Sequence, residues 1–161
     1  MDAAKLLAAS ERFFAIETNN LAWDLIAKKH RTEAETEQMI AAAHASLLFW
    51  SAVGVPANVA RAHGTVGRAL VVRGASGAKL GLDHAQKYLA WATEAADSGA
   101  WDRVFAHATA ARAQAALGDM GAARDARRWA DEALAAVTEA EDRKICQDEL
   151  ALGPWFDLDS L

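Results

Sequence analysis

The chain has 161 residues, a formal net charge of -5 and 53% hydrophobic residues. That length suits one domain with a continuous core, and the acidic balance argues against nonspecific binding to nucleic acid or anionic lipid. Alanine is abundant and proline occurs only at Pro56 and Pro154, so strong helix formers with almost no breakers predict an all-α protein.

The first expected helix runs from about Ala3 to Lys29, with apolar positions at Leu6, Leu7, Phe13, Phe14, Ile16, Leu21, Trp23, Leu25 and Ile26. Thr18-Asn19-Asn20 is a point of bending or interruption, because short polar side chains compete for backbone hydrogen bonds. The basic run "KKHR" at 28 to 31 suits the negative end of a helix dipole. Thr32 and Glu35 form a capping box that opens a second helix, which Gly54 stops after Val53. Pro56 opens a third, ending near Arg73. A fourth runs from about Lys79 to Asp97, a fifth from Trp101 to Leu117, a sixth from Gly121 to about Thr138 and a short seventh from Glu141 to Leu152. Seven helices with short connections imply antiparallel neighbours and a single domain over 1–161, with 141–161 as capping helix and tail. No segment alternates with the period of a strand.

The N-terminal "MDAAKLLAASERFF" lacks the form of a signal peptide, and no uncharged apolar stretch approaches the roughly 18 residues a membrane-spanning helix needs. With Cys146 alone, no internal disulfide forms, and the chain is most simply cytoplasmic, with no membrane partner.

Helices three to six read as two similar pairs. In the second pair Ala111 precedes Gly118 by seven, Ala123 follows it by five and Ala130 by twelve; in the first, Gly67, Gly74, Gly81 and Tyr88 match if the turn holds two extra residues. Small residues at these places let paired helices approach closely, and the spacing resembles the tetratricopeptide repeat. The turn glycines Gly74 and Gly118 lie 44 residues apart, more than that repeat's usual period, so longer helices or connections are expected. The stretch from Met39 to Ala62, with "NNLAWDLI" and "EDRKI", is similar to a group of bacterial tetratricopeptide-like proteins that lends no activity to carry over. The resemblance implies a right-handed α-α superhelix of about seven helices.

"RALVVRGASGAKLGLDHAQKYL", residues 68 to 89, has some letters of a phosphate-binding loop, but its second glycine comes three after the first and Leu80 follows Lys79. The Walker pattern needs four intervening residues, Lys and then Ser or Thr. The glycines are read instead as the turn between helices three and four. The five histidines show no H-x-x-x-H pair and Cys-x-x-Cys is absent, so no metal site and no cofactor are expected, although histidines of neighbouring helices can meet in a fold. Serines lack a G-x-S-x-G setting, which leaves no catalytic residue to name and weighs against an enzyme.

Arginine gives the sharpest expectation. If Gly67 and Ala111 are equivalent, so are Arg68 and Arg112, on the side that lines the groove in the family the chain resembles. Arg61 lies seven residues before Arg68 and Asn58 three before Arg61. Guanidinium groups bind a carboxylate bidentately, so the expected role is a protein- or peptide-binding scaffold whose Arg61, Arg68, Arg112 and Asn58 hold an acidic or C-terminal segment. A rival expectation is a small-molecule or enzymatic pocket between helices two and three, using His44, Trp50, Asn58 and Arg61; a second is a structural homo-oligomer, with Trp155 and Phe156 of the tail packing on the body or on another subunit.

Overall fold

The computed structural model describes residues 2–158; Met1 and positions 159 to 161 of the expected domain lie outside the described residues. The described residues form seven α-helices and no strand: α1 (Ala3–Ala27), α2 (Glu33–Val53), α3 (Pro56–Val71), α4 (Ala75–Glu94), α5 (Ala100–Ala116), α6 (Met120–Ala135) and α7 (Ala140–Ala151).

The helix boundaries follow local chemistry. Asp2 caps α1 by accepting from the Ala4 N–H, and Arg31 closes its far end by donating to the carbonyls of Leu25, Ile26 and Lys28. The Thr32–Glu35 capping box starts α2 in both directions, with bonds of 3.2 and 2.9 Å. Thr18-Asn19-Asn20 does not break α1 into two elements: Thr18 turns its hydroxyl back to the Phe14 carbonyl, and Asn19 accepts a bond from Thr65 of α3. The turn after α3 is shorter than the sequence suggests. Gly74, at φ 61°, makes the reversal alone, and α4 begins at Ala75 rather than Lys79. Gly77 is therefore a helical residue, where a Cβ would stand 2.1 Å from the Leu70 carbonyl oxygen.

Small residues bring α3 and α4 together. A Cβ on Gly67 would meet the Gly81 carbonyl at 2.9 Å, and one on Gly64 would enter the Tyr88 ring. Ala111, Ala123 and Ala130 likewise disappear into the contact of α5 with α6. Each helix packs on the next, and the odd-numbered helices also touch in series, α1 on α3, α3 on α5 and α5 on α7. One wall of the molecule is thus made of odd-numbered helices.

Burial follows the apolar pattern only in part in α1 and α7. In α1 only Ala15, Ala22, Leu25 and Ile26 are buried, while Leu6, Leu7, Phe13, Phe14, Ile16 and Leu21 remain exposed because α2 and α3 cover one narrow face of the helix. In α7 Leu150 is inward, but Ile145 is half exposed. Trp155 does pack back on the body. Its ring is buried between the guanidiniums of Arg112, 3.8 Å from the centroid, and Arg127, 4.3 Å away, and its indole N–H donates to the Leu150 carbonyl.

Candidate functional site

A cleft of about 540 Å³ opens along the wall of odd-numbered helices, within the range of small-ligand sites. Helix α1 supplies Asn19, Trp23, Asp24 and Ala27; α3 supplies Arg61, Gly64 and Thr65; α5 supplies Trp101, Phe105 and Thr109. Tyr88 of α4 reaches through from behind, over the close approach that Gly64 permits. Helix α7 finishes one side with Ile145, Asp148 and Glu149, and Leu152 follows at its end.

The aromatic wall is preassembled. Phe105 meets Trp23 edge-on at 5.5 Å between centroids and Trp101 edge-on at 6.0 Å. Trp23 is fixed further by its indole N–H, which donates to the Thr65 hydroxyl at 3.2 Å; that hydroxyl donates in turn to the Asn19 side-chain oxygen.

Behind this wall lies Asp102, 0% exposed and fully engaged. It accepts from Arg61 Nε and Nη2 at 2.9 and 3.1 Å, from the Tyr88 hydroxyl at 2.6 Å and from the Gly99 N–H at 2.9 Å. One carboxylate thereby ties α3 and α4 to the N-terminus of α5, where its charge also suits the helix dipole. The bidentate bond to Asp102 raises the Arg61 pKa, and burial, followed by the Asp102 charge, raises that of Tyr88, so the cation and the neutral phenol are both secured. The Arg61 guanidinium lies over the rings of Trp101 and Trp91, at 4.6 and 5.4 Å.

Arg68 and Arg112 are placed differently from the exposed groove expected of them. They are 1% and 0% exposed, and both donate to the same Glu149 oxygen, at 2.8 and 2.7 Å. Arg112 also donates to the carbonyls of Glu149 and Leu152, and Arg68 to that of Gly153. The carboxylate that a partner was expected to supply comes from the chain's own α7. Burial and then the neighbouring Arg68 charge lower the Arg112 pKa, and Glu149 opposes the shift. Glu149 itself is 3% exposed and its second oxygen, Oε2, has no hydrogen-bond partner.

The remaining candidates do not converge. Asn58 uses its side-chain oxygen to cap α3 at the Val55 N–H. His44 is exposed and bonded to the Ile40 carbonyl, and Trp50 lies under Arg12 on the α1 side; of the four residues expected to form a pocket between α2 and α3, only Arg61 lines the cleft. The structure does gather His44, His63 and His84 from three successive helices, with the Nδ1 atoms of His63 and His84 2.8 Å apart. Burial, and next the His63 charge, push His84 down to about 4. Among the described residues no group of His, Cys, Asp or Glu side chains has an arrangement that holds a metal ion.

Sequence reasoning missed Asp102, Glu149, Trp23 and Thr65 as site residues. Asp102 carried one local signal, its place three residues after Gly99 at a helix start. Glu149 carried none, since its arginine partners lie 81 and 37 residues away. Comparison with protein-family models, curated proteins and solved structures finds no match to the chain.

Proposed function

We propose that the protein is a tetratricopeptide-like helical binding module whose ligand site is the cleft formed by α1, α3, α5 and α7. The carrying observation is the preassembled aromatic wall of Trp23, Trp101 and Phe105 beside a polar edge of Asn19, Arg61 and Thr65. Large rings left half-buried in a cleft, while alanine fills the helix contacts elsewhere, mark a surface kept for an occupant. The close helix pairs at Gly67–Gly81 and around Ala111, Ala123 and Ala130 support the family reading. No nucleophile lies beside a base in the cleft's lining, which favours binding over catalysis.

The test is a fragment library screened by ligand-observed NMR against the wild-type chain and Ala27→Trp, a substitution on the exposed rim that fills the cleft without entering the core. Binders lost in the variant are expected. Binders that ignore the substitution would place the ligand site elsewhere and defeat the reading.

The exposed face of α1 and α2 favours a second reading, self-association. Leu6, Leu7, Phe13, Phe14, Leu48 and Val55 are all exposed, and from Met39 to Val55 no Asp, Glu, Lys or Arg interrupts the chain. A helix apolar on its outer side is ordinarily covered, and a two-fold dimer is the commonest cover. Sedimentation of wild type against Phe13→Lys with Leu48→Lys checks it: a dimer converted to monomer is expected, and a wild-type monomer at every concentration rules it out.

A further inference from the structure

The chemistry of the cleft's lining goes further than its shape. The charged side chains there are Asp24, Asp148, Glu149 and Arg61, three carboxylates against one guanidinium. The Arg61 charge is already matched by the bidentate bond to buried Asp102. Three donors on the wall are also committed: Trp23 Nε1 to Thr65, the Thr65 hydroxyl to Asn19, and the Tyr88 hydroxyl to Asp102. The charged groups that stay open are acceptors. Asp24 is exposed on α1; Asp148, exposed on α7, is paired through Oδ2 with the exposed Lys144 at 2.6 Å and keeps Oδ1 open; and Glu149, next to it in the chain, is buried at 3% exposure with Oε2 unpartnered.

An anion brought to this lining meets three carboxylates, and the one exposed counter-charge beside them, Lys144 on Asp148, lies outside the lining. A cation finds open acceptors and ring faces. The chain shows this affinity internally, since the Arg61 guanidinium rests 4.6 Å from the Trp101 centroid. Arg68 and Arg112 do not reverse the argument. They sit outside the lining, and the carbonyls of Glu149, Leu152 and Gly153 that they donate to offset part of the charge that Glu149 leaves unmatched.

We propose that the cleft takes an organic ammonium carried on an apolar or aromatic body, with the body against Trp23, Trp101 and Phe105 and the N–H groups toward Asp24, Asp148 and Glu149 Oε2. The inference rests on the cleft-binding reading above and reverses the charge expected of the partner: basic rather than acidic. A free aromatic amine and a peptide lysine beside an apolar residue share this chemistry.

Three probes of one shape separate charge from shape: tryptamine, its alcohol analogue tryptophol and the anion indole-3-propionate, each titrated calorimetrically into the full chain. A capped Leu-Lys-Leu tripeptide tests the peptide source. The expected order is tryptamine, then tryptophol, then the carboxylate. If the tripeptide binds more tightly than tryptamine, the source is a peptide, and the reverse order indicates a free amine. In Asp24→Asn with Asp148→Asn, both exposed positions, amine affinity falls roughly fivefold to tenfold at low salt while tryptophol is unchanged. Raising the salt shrinks the amine's advantage in the wild type. Carboxylate binding equal to or tighter than the amine overturns the inference, as does amine affinity indifferent to the double substitution. If no probe binds but library fragments are still lost in Ala27→Trp, the cation inference fails and the cleft stands. If those fragments are indifferent to Ala27→Trp as well, both fail.

Discussion

Arg61 and Arg68 stand seven residues apart on one helix, two turns along the same face, yet they meet opposite fates. Arg61 keeps an edge in the cleft, with its charge held from behind by Asp102 and its plane on tryptophan. Arg68, joined by Arg112 of α5, is sealed under α7 and locked to Glu149. The difference is made by α7 and the residues that follow it. They cover the Arg68 end of the wall, where they complete a structural knot, and leave the Arg61 end open, where α7 only borders the cleft. A guanidinium at one register of a repeat can thus be a strut or a surface, according to which distant segment lands on it.

The largest effect should come from untying the knot. Glu149→Ala leaves two buried guanidiniums without a carboxylate, and removal of one partner from a buried ionic group is destabilising by about 3 to 5 kcal/mol. Urea denaturation should show that loss. An unchanged midpoint would mean that α7 is not held by this carboxylate. Asp102→Ala should cost about 3 kcal/mol, because it strands Arg61, the Tyr88 hydroxyl and the Gly99 N–H together. The same urea midpoints test it, and a loss under about 1 kcal/mol would show that water replaces the carboxylate.

The histidine pair sharpens the comparison because it belongs to neither centre. His84 has a folded pKa of about 4 and His63 is lowered as well, first by burial. The unfolded chain therefore takes up protons first, near the ordinary histidine value of about 6.5. Stability is full above that pH and declines as the pH falls toward 4, by about 1 to 2 kcal/mol from this source. Chemical denaturation across that window should show the slope in wild type and a shallower one in His84→Gln; equal slopes would assign the loss to other groups. Arg61→Met should cost about 1 to 2 kcal/mol, less than Asp102→Ala, since buried Asp102 loses its cation but keeps the Tyr88 and Gly99 donors, and the guanidinium removed is partly exposed. A loss as large as that of Asp102→Ala would make Arg61 a strut like Arg68.

Much of the fold was legible because its causes are local. Thr32 with Glu35, Gly54, Pro56, Gly74 and Gly118 each mark a boundary through their own backbone or side-chain chemistry, and Gly67 with Gly81 announced the close pair of α3 and α4. The start of α4 was misread because Gly77 looks like a turn residue. Its actual cause, the nearby Leu70 carbonyl, is tertiary. The site was less legible for the same reason. Periodicity put Arg61, Arg68 and Arg112 on one side, but nothing in the sequence around them says that Asp102 or Glu149 will be the group they meet. The apolar face of α1 was visible as a pattern, while how little of it the neighbouring helices cover was not.

The six tryptophans offer the most direct test of the central claim, that the cleft is the binding site. In a ¹⁵N–¹H correlation spectrum each gives a separate indole N–H signal. Titration with a fragment that binds the wild-type chain should move the signals of Trp23 and Trp101, which line the cleft, and leave those of Trp50 and Trp129 in place. Shifts confined to Trp50, or none at Trp23 and Trp101, would contradict it.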